Sequence, residues 1–261
     1  MSEFVKTKES SHWYTQDGEP AYEATLREAR KENLVPSVTT INNVLERRKL
    51  VDWKIEQGIL AAATLPHKEG ESSDEWVKRV VKDSRETGRK AAEWGTTMHN
   101  MCEDYLLGNS VEDYKSHKDF WPAVKEYLDT RIAEPLYIED SRVNLEFGYG
   151  GRTDLVARMS DDRIAIIDFK TTGTNPKYKV KGWPEWAYQL AGNYNLYPDV
   201  EIDTYINLAI SSTEVGRVVE VKWSDEEIEN GWEVFLSCLK IWRIQKKFPY
   251  VKKKWIVRNW Y

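Results

Sequence analysis

Two cysteines, Cys102 and Cys238, are all that the 261 residues contain. A disulfide framework needs more, and so does a zinc or iron–sulfur site built on four thiolates. Both therefore read as core thiols. Long apolar runs are missing as well, and no stretch approaches the roughly 20 residues that span a bilayer. The opening "MSEFVKTKESS" lacks the apolar segment of a secretory signal and the arginines of a transit peptide. An intracellular protein is the expectation. There is no internal repeat and no low-complexity tract. Net positive charge is absent too: the formal value is −5. That weakens a nucleic-acid reading without excluding it, because local charge and bound metal ions decide how phosphate is met.

What is abundant is aromatic. The 12 Trp and 14 Tyr either fill a core or offer faces on which bases stack. With 31% charged and 41% hydrophobic residues the chain reads as folded rather than disordered.

The pattern places elements along the chain. "HWYTQDGEPAYEA" reads as a hairpin around an Asp-Gly turn. From Ser37, a candidate N-cap, helical periodicity runs through "VTTINNVLERRKLVDWKIEQGILAAATL". After a hydrophilic break a long helix covers about Asp74 to Leu107, with Gly88 or Gly95 as points of interruption, and another covers about Lys118 to Ile132. The character then changes. "EPLYIEDSRVNLEFGYGGRTDLVARM" supplies two strands, and "RIAIIDFKT" is a nearly unbroken apolar run, the pattern of a buried central strand. "WPEWAYQLAGNYNLY" is helical, "IDTYINLAIS" and "RVVEVKW" are strands, and a last helix starts at the Ser224–Glu227 capping box. The order β-β-β-α-β-β-α behind a helical half gives one α/β domain over residues 1–261. Residues 1–133 wall a cleft, and residues 134–261 carry the sheet and a basic-aromatic tail.

The chemistry concentrates in "YGGRTDLVARMSDDRIAIIDFKTT". Asp168 and Lys170 alternate with Phe169 and share one face of the strand. Counting back from the "SDD" turn brings Asp154 across the ladder to Asp168. A carboxylate at the end of a central strand is costly to bury unless it is paired or metal-bound. Two acids and a lysine on one face suit a hard divalent ion with a substrate phosphate. The plainer reading is a surface ion pair between Asp168 and Lys170, against which stands the apolar "IAII" flank.

"GRTDLV" followed by "IIDFK" resembles the PD-(D/E)xK nuclease superfamily, in particular its RecB-type exonuclease branch with phage and mitochondrial genome-maintenance exonucleases. "GTTMHNMCEDYL", "PSVTTI" with Trp53 beyond it, and "YQLAGNY" match further segments of that branch. The resemblance implies a mixed sheet flanked by helices. It implies catalytic roles for Asp154, Asp168, Lys170 and Gln189, and Mg²⁺ or Mn²⁺ held at His99, Asp154, Asp168 and Phe169. His99 has the alternative of an ordinary helix residue. Glu103, one turn on, either orients His99, contacts metal or is a surface acid; Glu146 could face the same cleft. The family places Tyr four residues after the Gln. Here Asn193 stands there and Tyr194 follows. Relatives with an iron–sulfur cluster use four cysteines, so a cluster-free member is implied.

The segment after Lys170 offers Thr171, Thr172, Lys177, Lys179 and Lys181 for phosphates, with Tyr178 and Trp183 for bases; a solvated loop is the alternative. Lys252, Lys253, Lys254, Trp255 and Arg258 make a second basic-aromatic patch, or an edge strand. The expectation is a metal-dependent DNA exonuclease of phage or bacterial recombination and repair. Its partners would be DNA with a free end and possible annealing or recombination proteins, with no membrane. An endonuclease on the same fold and a binding module that has lost catalysis are the alternatives.

Overall fold

In chain order the elements are β1 (Trp13–Tyr14), α1 (Leu26–Glu32), β2 (Val35–Pro36), α2 (Val38–Asn42), α3 (Arg48–Thr64), α4 (Ser73–Leu106), α5 (Trp121–Arg131), β3 (Ile132–Asn144), β4 (Tyr149–Met159), β5 (Ile164–Thr172), α6 (Pro184–Tyr194), β6 (Thr204–Ser211), β7 (Val218–Trp223) and α7 (Asp225–Lys246). The computed structural model describes residues 12–45, 48–112 and 114–250. The tail residues Lys252, Lys253, Lys254, Trp255 and Arg258 lie outside them. The chain divides into two compact units, Met1–Val44 with His99–Tyr261, and Leu45–Met98.

The larger unit is mixed α/β. Its sheet has the order β3-β4-β5-β6-β7. β5 lies at the centre, antiparallel to β4 and parallel to β6. The apolar run of the sequence explains that place: Ala165, Ile166, Ile167 and Phe169 are all buried, and so is every residue of β6. The parallel step from β5 to β6 is bridged by α6, and α7 packs against α6. Ser224 caps α7 with its side chain on the Glu227 N–H, the capping box read from the sequence.

The hairpin reading near the N-terminus holds only in part. Tyr14 bridges Pro20 across a turn, yet the strand partner of β1 is β2, paired through Trp13 and Pro36. Trp13 also stacks on Phe248 at 5.3 Å and meets Trp242 edge-on, which anchors it in a small core with Ala29 and Leu34. Ser37 is an N-cap, accepting from the Thr40 N–H, but α2 ends at Asn42 instead of running on. Its Val, Thr and Asn residues are weak helix formers.

In the smaller unit, α3 places Trp53 over Gly88, and the Trp76 indole donates to Leu65 O at 2.7 Å. Ser72 and Glu75 exchange capping bonds at the start of α4. The interruption near Gly88 or Gly95 does not occur. One glycine costs a helix interior about 1 kcal/mol against alanine, too little to break a 34-residue helix. No described helix is long and apolar enough to cross a membrane.

Candidate active site

The ladder between β4 and β5 ends at Leu155 and Ile167, one step short of the two aspartates. Beyond it Asp154 Oδ2 accepts the Phe169 N–H at 2.6 Å in place of a strand bond. Asp168 is almost fully buried, and both its oxygens are engaged. Lys170 Nζ lies 2.6 Å from Oδ2, Asn207 Nδ2 donates to Oδ2 at 2.7 Å, and Gln189 Nε2 donates to Oδ1 at 3.0 Å. Lys170 also donates to Gln189 Oε1 at 3.1 Å. The side chains of Asp168, Lys170 and Gln189 thus close a triangle, and the Asp168–Lys170 pair belongs to the sheet interior rather than the surface.

Asp154 stands beside a second group. His99 Nδ1 is 3.5 Å from Asp154 Oδ2, and the His99 ring meets Phe169 edge-on at 5.8 Å. On β3 the register runs through Ile138 with Leu155 and Asp140 with Thr153. Glu139 therefore falls opposite Asp154. His99, Glu139 and Asp154 offer ligand atoms that all lie within 4.8 Å of one another. Arg152 ties this group to α4: its Nε is 2.6 Å from Glu139 Oε2, and its Nη2 is 3.1 Å from Glu103 Oε1. Glu103 is thus fixed through Arg152. Glu139 adopts φ 48°, a left-handed conformation that costs a side-chain-bearing residue roughly 1–2 kcal/mol. Its main-chain oxygen accepts from Arg152 Nε at 3.1 Å, which helps to hold that turn of the backbone.

Electrostatics at this spot favour a cation. Burial pushes the Glu139 carboxyl well above the usual carboxylate range; Asp154, Glu103 and Asp168 add to the shift and Arg152 opposes it. Asp154 is pushed up by burial and by Asp168, against His99, Lys170 and the Phe169 N–H. Two partly desolvated acids and an imidazole form a donor set suited to Mg²⁺ or Mn²⁺ with water completing the shell. The set differs from the one implied by the resemblance. Glu139 is in it, and Asp168 beside it accepts from Lys170, Gln189 and Asn207. Of Phe169 only the main-chain oxygen could ligate; its side chain is buried and its N–H goes to Asp154.

Glu146 is not brought here. It is exposed in the turn between β3 and β4, with its N–H on Asn144 Oδ1. Five residues of β4 separate that turn from Asp154, about 17 Å of strand. Asn193 shares the Gln189 face of α6 but is buried against β4. A Cβ on Gly151 would come within 3.0 Å of Asn193 Oδ1. Tyr194 turns away and packs edge-on against Tyr205 at 5.1 Å. Neither residue takes up a place beside Lys170.

Thr171 and Thr172 continue β5 and are half-buried, whereas Lys177, Tyr178, Lys179, Lys181 and Trp183 are exposed. The loop is pinned rather than loose: Arg217 Nη2 donates to Tyr178 O at 2.7 Å, and Thr174 N–H donates to Thr213 Oγ1 at 2.9 Å. Cys102 and Cys238 are both buried.

No protein-family model matches the chain, and no curated protein matches it. One solved structure, described as the crystal structure of SSO0001, is 12% identical over 77% of this chain and 89% of that one, with a TM-score of 0.34. Likeness of that degree carries no argument about function.

Proposed function

We propose that the chain is a Mg²⁺- or Mn²⁺-dependent deoxyribonuclease with a PD-(D/E)xK-type core, acting on DNA from its ends. The observation that carries this is the Lys170 ammonium, 2.6 Å from Asp168 and 3.1 Å from Gln189, on the strand beside the His99–Glu139–Asp154 cluster. A bound divalent ion would lower the pKa of a water and offset charge growing on phosphate.

The chain's own groups divide the remaining work. His99, Glu139 and Asp154 would hold the ion. Asp168 and Gln189 fix Lys170, whose N–H groups then meet the attacking water or a phosphate oxygen without reorganising. Lys177, Lys179 and Lys181 would take backbone phosphates, and Tyr178 and Trp183 the bases.

End-labelled linear DNA and covalently closed single-stranded circles, incubated with protein and Mg²⁺, test the reading. Linear strands should be degraded and circles largely spared. Circles cut as fast as linear strands would leave an endonuclease, and neither substrate cut would end the nuclease reading.

A further inference from the structure

Strand β6 reads "TYINLAIS" and is buried throughout, so the amide of Asn207, with no exposed surface, needs a reason to be there. The parallel register sets Asn207 beside Asp168. Its Nδ2 donates to Asp168 Oδ2 at 2.7 Å and approaches the Asp168 main-chain oxygen at 3.4 Å. Its Oδ1 accepts the Trp223 indole N–H at 2.7 Å.

The direction of this chain is forced by chemistry. An indole N–H can only donate, so it can face only the oxygen end of the amide. The NH₂ end is thereby turned to Asp168. With the amide reversed, its oxygen would face a carboxylate oxygen at the same short distance. Trp223 is in turn seated by the segment that follows Lys170. A Cβ on Gly182 would lie 2.4 Å from the Trp223 ring, so only glycine permits that approach.

We propose that Asn207, with its amide oriented by Trp223, is a positioning residue for Asp168. It holds Oδ2 from the side opposite Gln189's grip on Oδ1, so that the carboxylate cannot swing away from Lys170. The role rests on the nuclease reading for its effect on turnover, but not for its geometry.

Two measurements test it on the full-length protein. The first is kinetic. Trp223→Phe keeps an aromatic ring at the position but removes the N–H, together with the Cζ2 and Cη2 atoms that face Gly182; kcat should fall about tenfold, equivalent to about 1.4 kcal/mol, with KM for linear DNA unchanged. Asn207→Ala should lower kcat about 100-fold, and if that variant does not fold, Trp223→Phe carries the test. The second needs no activity. The Trp223 indole N–H resonance, identified as the one missing from Trp223→Phe, should move in Asp168→Ala and stay in place in Asp154→Ala, because hydrogen bonds in a chain polarise one another. An inactive wild-type protein with that resonance still coupled to Asp168 would sink the nuclease reading and keep the positioning role. Folded variants with wild-type kcat, a loss confined to KM, or an indole signal indifferent to Asp168→Ala would each overturn the positioning role.

Discussion

Glu139 and Asp154 stand opposite one another on neighbouring antiparallel strands, two half-buried acids facing with His99 beside them. Their repulsion is a cost in the ion-free protein that a divalent cation would relieve. Glu139→Gln should therefore weaken Mn²⁺ binding, by roughly 10- to 100-fold on the scale seen for groups that shape metal sites. Calorimetric titration measures this. Unchanged Mn²⁺ affinity would remove Glu139 from the site.

His99 supplies the one nitrogen of that cluster. Imidazole suits Mn²⁺ better than Mg²⁺, so His99→Ala should lower metal affinity and shift the preference towards Mg²⁺. Activity measured across both ions reads the ratio, and a ratio equal to that of the wild type would argue against ligation by His99.

Much of this site is legible in the sequence because it follows from strand arithmetic. The apolar flank of Asp168 marks β5 as central, and the short "SDD" turn fixes how far back Asp154 lies. Glu139 was within reach of the same counting from the turn between β3 and β4, but "YIEDSRVN" offers two adjacent acids and no clean alternation. Its aim depends on a positive φ and on Arg152, neither of which is a local signal. Asn207 did leave a trace, a lone amide in an otherwise apolar strand. Its partners on β5 and β7 appear only once the sheet order is known. Glu146 was misplaced because its stretch was read as strand, where the chain instead turns. The boundary between α2 and α3 was lost for a different reason: apolar periodicity continues across it, while the intrinsic preference of "VTTINN" does not.

Lys170 and Asp168 give the sharpest mutational expectation. Asp168→Ala and Lys170→Ala should each reduce turnover by at least about 100-fold, the lower range for a positioned proton-transfer or charge-stabilising group. DNA binding should be largely kept in the Lys170 variant. Filter binding beside the turnover assay separates the two effects. Near-wild-type turnover in either variant would mean that the residue has no part in the chemistry.

The loop lysines predict a salt dependence. Each phosphate neutralised on a single strand contributes about 0.7 to the slope of log affinity against log salt. Changing Lys177, Lys179 and Lys181 together to Ala should flatten that slope by up to about 2 and slow the degradation of long strands. An unchanged slope would show that the strand does not follow this loop.

Stability of the smaller unit should depend on pH through Glu71. Its carboxylate accepts from Arg79 Nε and Nη2 at 2.9 and 2.8 Å and from the Lys68 N–H at 3.0 Å. Those bonds, led by Arg79, hold its pKa down from 4.5 to about 2. A folded-state pKa below the unfolded one stabilises the fold above about 4.5, and the contribution fades as pH falls towards 2. Glu71→Gln should therefore lower the denaturation midpoint at about pH 7, with the gap narrowing below about pH 4.5 and closing towards about pH 2. A gap that stays constant across that range would contradict the assignment.

The central claim is metal-dependent hydrolysis at the Asp168–Lys170 pair, and one assay reaches it directly. Nucleotide release from linear DNA is measured for wild type and Lys170→Ala purified in parallel, each with Mn²⁺ and again with excess EDTA. The account predicts release by the wild type in Mn²⁺ alone and by the variant in neither condition. Release that persists in EDTA, or that is equal in the two proteins, would contradict it.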